Sequence, residues 1–162
     1  MEQSVSSFVA KQLRCLRPDA IAWVRGSEEY PDIFGQISFC QTVRGVIVVS
    51  EVWRLPDSGG QCMNKIFAMH IHAGGSCSGT EENLFANADG HFNPNGCEHP
   101  EHEGDLPPLF SNGGTAWSAV LTDRFTVRSV LGKTVIIHLG TDDFKTQPSG
   151  NAGKMIACGV IG

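Results

Sequence analysis

From residue 20 onward, apolar and polar positions alternate in short runs. Each run is rich in β-branched or aromatic residues and is closed by Gly, Pro, Asp or Asn. This pattern predicts strands over 20–26, 35–42, 45–55, 65–72, 115–123, 133–139 and 155–161. A further short strand near Leu109 would make eight. With no long helical pattern between them, the strands predict an all-β domain, either a β-sandwich or a flattened barrel. Before residue 20 the period changes. Val5, Phe8, Val9, Leu13 and Leu16 recur at roughly helical spacing, and Pro18 ends the run. Residues 1–18 therefore read as an N-terminal extension holding a short helix over 3–16, and residues 19–162 as one domain. Two stretches, 73–108 and 140–154, are too long and too polar for hairpin turns. Long loops in a compact β domain are usually functional.

Composition narrows the picture only modestly. The chain has 162 residues and a formal charge of −5. That length suits a single core, and the charge argues against nucleic acid or an acidic membrane surface as partner. No apolar run approaches the eighteen residues of a membrane-spanning helix. The first eight residues lack the basic start and apolar stretch of a secretory signal, so the chain reads as cytoplasmic. Six cysteines, at 15, 40, 62, 77, 97 and 158, are too dispersed for a small disulfide scaffold.

The histidines change the picture most. All six lie between positions 70 and 138. His70 and His72 form an H-x-H in a predicted strand, so they share one face while Phe67, Met69 and Ile71 take the other. The apolar face packs the core and the two imidazoles stand outside, about 6.6 Å apart along the strand. His138 ends the apolar run 134–137. His91, His99, His102 and Asp105 fall in the first long loop. Three imidazoles and a carboxylate suit a closed tetrahedral zinc shell. A copper redox site takes three or four imidazoles. Seven ligands are too few for two separate four-ligand sites, but they suffice if one imidazole serves both metals through its two ring nitrogens.

From about residue 19 to the C-terminus the chain resembles the copper/zinc superoxide dismutases. The resemblance rests on six ordered blocks: His70-Ile-His72, Gly90-His91-Phe-Asn-Pro94, His102-Glu-Gly-Asp105-Leu, Val135-Ile-Ile-His138, Asp142-Asp143, and Gly150-Asn-Ala-Gly153 with Ala157-Cys158-Gly-Val-Ile-Gly162. It implies an eight-stranded Greek-key β-barrel carrying copper and zinc on its outer surface under two loops. It assigns His70, His72, His91 and His138 to copper, and His91, His99, His102 and Asp105 to zinc. His91 would bridge the metals and handle the catalytic proton. Asp142 would link a copper-ligand histidine to a zinc-ligand histidine. Cys77 and Cys158 match the family's intrasubunit disulfide, which in the chain-entropy model would stabilise by about 4–5 kcal/mol for a loop of roughly 80 residues. The implied activity is dismutation of the superoxide anion to dioxygen and hydrogen peroxide by a copper redox cycle. The implied partners are superoxide and, in some members, a second copy in a homodimer.

Three departures from the family pattern stand out. His99 and His102 are only three residues apart, which makes Cys97 a rival ligand unless it pairs with Cys62 or remains a thiol. The family's anion-orienting arginine falls at Met155. The second loop, 143–150, is short, leaving Lys145 and Lys154 as the cations available to guide an anion. Met155 motivates an alternative, a dismutase-like metal-binding protein with little catalysis.

Overall fold

The computed structural model describes residues 17–162 apart from Ser58 and Gln61. The helix expected over 3–16 lies outside the described residues. The strands are β1 (Ala20–Gly26), β2 (Phe34–Thr42), β3 (Gly45–Trp53), β4 (Ile66–His72), β5 (Asp105–Asn112), β6 (Thr115–Thr122), β7 (Thr134–His138) and β8 (Met155–Val160). All pairings are antiparallel, and the strands close into a barrel in the order β1-β2-β3-β6-β5-β4-β7-β8. The β3–β4 and β6–β7 connections therefore cross the barrel rather than joining neighbours, which is a Greek-key arrangement. Closure removes free sheet edges. Among the described residues no helix is long and apolar enough to cross a membrane.

Strand alternation decides which side chains fill the barrel. Ala22 and Val24 of β1, Ile37 and Phe39 of β2, Val46, Val48 and Val52 of β3, and Phe67, Met69 and Ile71 of β4 point inward. They meet Leu106 and Leu109 of β5, Val135 and Ile137 of β7, and Ile156 of β8 in one continuous core. Such close-packed apolar burial is the main force holding the barrel.

Seven strands appear where the alternation predicts them, with ends shifted by a residue or two. The eighth differs more. The sequence puts 105–108 in the first loop, whereas β5 already begins at Asp105. Its Pro107-Pro108 pair is the reason for the misreading, because proline cannot donate to a ladder. The structure accommodates the pair by a register shift in the β4–β5 pairing between Phe67 and Met69, and by pairing β5 with β6 only at Ser111 and Asn112. Two short helical elements leave no periodic signal in the sequence. They are a 3₁₀ turn at Ala86–Ala88 and α1 (Val127–Val130), whose Thr126 hydroxyl accepts from the Ser129 N–H. Neither is long enough to show a helical period.

One outer face is not exposed. On the outer side of β4, β7 and β8, Ile136 and Cys158 pack against Phe85 and Ala88 of the first loop, with Cys77 and Met155 at the margin. A Cys77–Cys158 disulfide spanning 81 residues ties that loop to β8. His70, His72 and His138 stand on this covered face.

Candidate metal centre

His70, His72, His99 and His138 are each held by a partner on one ring nitrogen, which settles where the other nitrogen points. His72 Nδ1 lies 2.6 Å from the Asp89 carbonyl and His138 Nδ1 lies 3.0 Å from the Gly153 carbonyl. A carbonyl only accepts, so both Nδ1 atoms carry hydrogen and the lone pairs sit on Nε2. His70 is the reverse. Its Nε2 is 2.7 Å from Asp142 Oδ2, leaving the Nδ1 lone pair free. The free atoms, His70 Nδ1, His72 Nε2, His138 Nε2 and His91 Nε2, are all buried without a hydrogen-bond partner. One ligand atom from each of these four residues lies within 4.8 Å of the others. An unpartnered buried acceptor is costly, and four facing one another call for a cation between them.

The second cluster adjoins the first through His91. A short antiparallel bridge between His72 and His91 fixes that residue beside β4. The His91 ring lies 4.0 Å from the His70 ring, and its Nδ1 is 2.7 Å from Asp105 Oδ1 and 3.3 Å from His102 Nδ1. Asp105 Oδ2 is 3.0 Å from His99 Nδ1 and 3.2 Å from His102 Nδ1. His99 Nε2 lies 2.9 Å from Asp142 Oδ1. With its Nε2 held by Asp142, His99 turns Nδ1 toward Asp105, so the ring and the carboxylate each offer one atom to a cation placed between them. Three nitrogens and one oxygen make a donor set suited to tetrahedral zinc, and four imidazoles suit copper.

Electrostatics agree with the geometry. Burial pushes His70, His72 and His138 down, to about 3 for His72 and about 4 for His138. These rings are therefore neutral at ordinary pH and can donate without first losing a proton. For Asp142, burial raises the pKa, but hydrogen bonds from His70, from the Phe144 N–H and from His99 bring it to about 2. Burial likewise raises Asp105, but His91, His99 and His102 together outweigh it and lower the pKa overall. Both carboxylates are anionic wherever the protein is folded near neutrality.

The structure gathers every residue expected at the two sites. Cys97 is not among them. Cys97 and Cys62 are free, exposed thiols, so neither the rival-ligand nor the Cys62–Cys97 pairing expectation holds. The His99–His102 turn presents both rings without help from a thiolate. Met155 is half-buried and lines a cavity of about 1210 Å³ that opens over His72, His91 and His138. Lys154, the residue before β8 begins at Met155, lines the same cavity. Lys154 is ion-paired with Glu29, and Lys145 does not line the cavity.

Other supporting residues were not legible as site residues. Gln147 accepts from the His99 N–H at 2.9 Å and donates to the His99 carbonyl at 2.7 Å. Arg124 donates to the carbonyls of Pro100, at 2.7 Å, and His102, at 3.1 Å. An amide or guanidinium gripping backbone carries no ligand-type signature.

A family profile described as "Copper/zinc superoxide dismutase (SODC)" matches residues 33–161. "Superoxide dismutase [Cu-Zn] 2" of Aquifex aeolicus is 36% identical over 145 residues, covering 80% of each chain. "Superoxide dismutase [Cu-Zn]" of Schizosaccharomyces pombe is 33% identical over 159 residues, covering 88% of this chain and 96% of that one. Among solved structures, a double mutant of a SOD-like protein from Bacillus subtilis superposes with a TM-score of 0.69 at 26% identity, covering 86% of this chain and 95% of that one. The matched span takes in all eight barrel strands except β1 and both histidine clusters, and the chain belongs to the copper/zinc superoxide dismutase family, enzymes whose cofactors are copper and zinc.

Proposed function

We propose that this chain dismutes superoxide, with His70, His72, His91 and His138 holding copper and His91, His99, His102 and Asp105 holding zinc. The observation that carries this reading is the set of four buried, unpartnered imidazole nitrogens facing one another beneath the cavity. Bound copper supplies a one-electron couple, so that two superoxide anions and two protons become one dioxygen and one hydrogen peroxide. The protein's own groups do the rest. Carbonyls of Asp89 and Gly153 fix the tautomers of His72 and His138, and Asp142 fixes those of His70 and His99. His91 commits Nδ1 to the zinc side. Its Nε2 faces His70 and the cavity, where it takes up a proton and passes it to the reduced oxygen.

The test is superoxide consumption by protein loaded with one copper and one zinc per chain. His70→Ala or His138→Ala should abolish consumption, each by removing one nitrogen from the copper set. If the loaded protein consumes superoxide no faster than the same concentration of aqueous copper, the catalytic reading fails. Met155 favours a second reading, a metal-binding protein with little catalysis. A thioether at the cavity wall supplies none of the fork of donors that an arginine offers an anion. Under the catalytic reading Met155→Arg raises an already measurable rate. Under the second reading the parent protein's rate stays close to that of aqueous copper, and Met155→Arg leaves it there.

A further inference from the structure

The charges at the cavity mouth run opposite to what an anionic substrate needs. Besides the histidines, its charged lining is Glu28, Glu29, Glu81, Glu82, Asp89 and Lys154. Five carboxylates face one ammonium, and that ammonium is held by Glu29 in an ion pair. Glu28 and Glu29 come from the β1–β2 turn, whereas Glu81, Glu82 and Asp89 come from the first loop. Two separate segments thus place the same sign on the rim. A cleft lined by one sign concentrates the field within it and raises the local concentration of the opposite ion. At the floor of this cleft, His72 Nε2 and His138 Nε2 are buried and unpartnered, ready to accept a cation.

We propose that the acidic rim is a cation-selective entrance, drawing a divalent metal ion to the imidazoles while slowing anions, with Glu29 holding Lys154 in an ion pair so that the one ammonium offers anions less attraction. This rests on the ligand assignment above. It makes Glu28, Glu29, Glu81 and Glu82 selectivity residues for the cavity although none of them touches the metal positions.

The experiment follows Cu²⁺ uptake by the metal-free full chain through quenching of its tryptophan fluorescence, and azide binding to the copper-loaded protein through its visible spectrum, each at two salt concentrations. Uptake should slow about threefold or more between 0.01 M and 0.2 M salt, since surface fields are screened over about one Debye length. Glu81→Gln with Glu82→Gln should slow uptake at low salt and flatten its salt dependence, with the copper stoichiometry unchanged. Azide affinity should rise with salt in the parent, and it should rise in the double variant at low salt. Glu29→Gln should raise azide affinity further by releasing Lys154. Uptake that ignores both salt and the glutamine substitutions overturns the proposal, as does azide that binds more tightly at low salt. His138→Ala separates this proposal from the reading beneath it. If that variant loses copper while the glutamine variants change nothing, only the entrance fails. If it takes up copper as the parent does, the ligand assignment fails and the entrance with it.

Discussion

At the scale of single residues, Asp142 has the widest reach. Its two oxygens hold His70 and His99, one in each cluster, each by the nitrogen pointing away from the candidate metal position. An aspartate can accept from both rings, but an asparagine offers one acceptor and one donor. Asp142→Asn therefore leaves one ring facing an N–H and obliges it to turn or change tautomer. Partners of this kind typically contribute 10–100-fold in metal affinity, so about that loss is expected for copper or zinc in competition titrations with a chelator. Unchanged affinity for both metals would refute the linking role. Asp142 was legible in the sequence because it falls inside a recognisable block. The Asp89 and Gly153 carbonyls that orient His72 and His138 were not, since every residue has a carbonyl and only the fold says which one meets a ring.

At the scale of elements, the site is made where two loops meet across the outer face of β4 and β7. Alternation on β4 was enough to foretell that His70 and His72 would share a face, because a strand gives its side chains only two directions; that His138 joins them depends on the pairing of β4 with β7, which no single strand's pattern announces. How the loops lock together was not legible, because loop geometry follows from turns and backbone bonds rather than from a period. Gln147 bonds both backbone groups of His99. Gly150 closes the second loop, donating to the Thr146 carbonyl and accepting from the Asp143 N–H. It sits at φ +66°, and a Cβ there would lie 2.0 Å from Asp142 Oδ1 and 2.6 Å from His99 Nε2. Gly150→Ala is thus strained in its backbone and also drives into the carboxylate that links the clusters. The expected outcome is a folded barrel, judged by far-ultraviolet circular dichroism, that binds zinc at least about tenfold more weakly, comparable to losing an orienting partner. Gln147→Ala, which loosens His99 without a clash, should weaken zinc less. If Gly150→Ala binds zinc as the parent does, the loop contact does not set the geometry of the centre.

At the scale of the whole molecule, the barrel interior and the metal face are different kinds of environment stacked on the same strands. The interior is apolar and indifferent to pH, whereas the outer face of β4, β7 and β8 buries imidazoles under a loop fastened by Cys77–Cys158. In the metal-free protein this second layer links stability to pH. In the unfolded chain each histidine titrates near 6.5. In the folded chain burial depresses His70, His72 and His138, to about 3 for His72 and about 4 for His138. Below about pH 6.5 the unfolded state therefore binds protons that the folded state refuses. Stability falls as pH drops through that window, by at most about 1.4 kcal/mol per pH unit for each such ring. Asp142 adds to the loss at lower pH. Its depressed folded value, about 2, contributes stability above the ordinary carboxylate range that disappears as pH falls toward 2. Thermal melts of the metal-free protein should accordingly move to lower temperature between pH 7 and pH 5, with the Cys77–Cys158 disulfide intact throughout. His72→Gln, which keeps a polar side chain but cannot take up that proton, should make the decline shallower. A melting temperature that holds steady from pH 7 to pH 5 would mean that the histidines can be protonated in place, and that the face over β4 and β7 opens to water more readily than its burial implies.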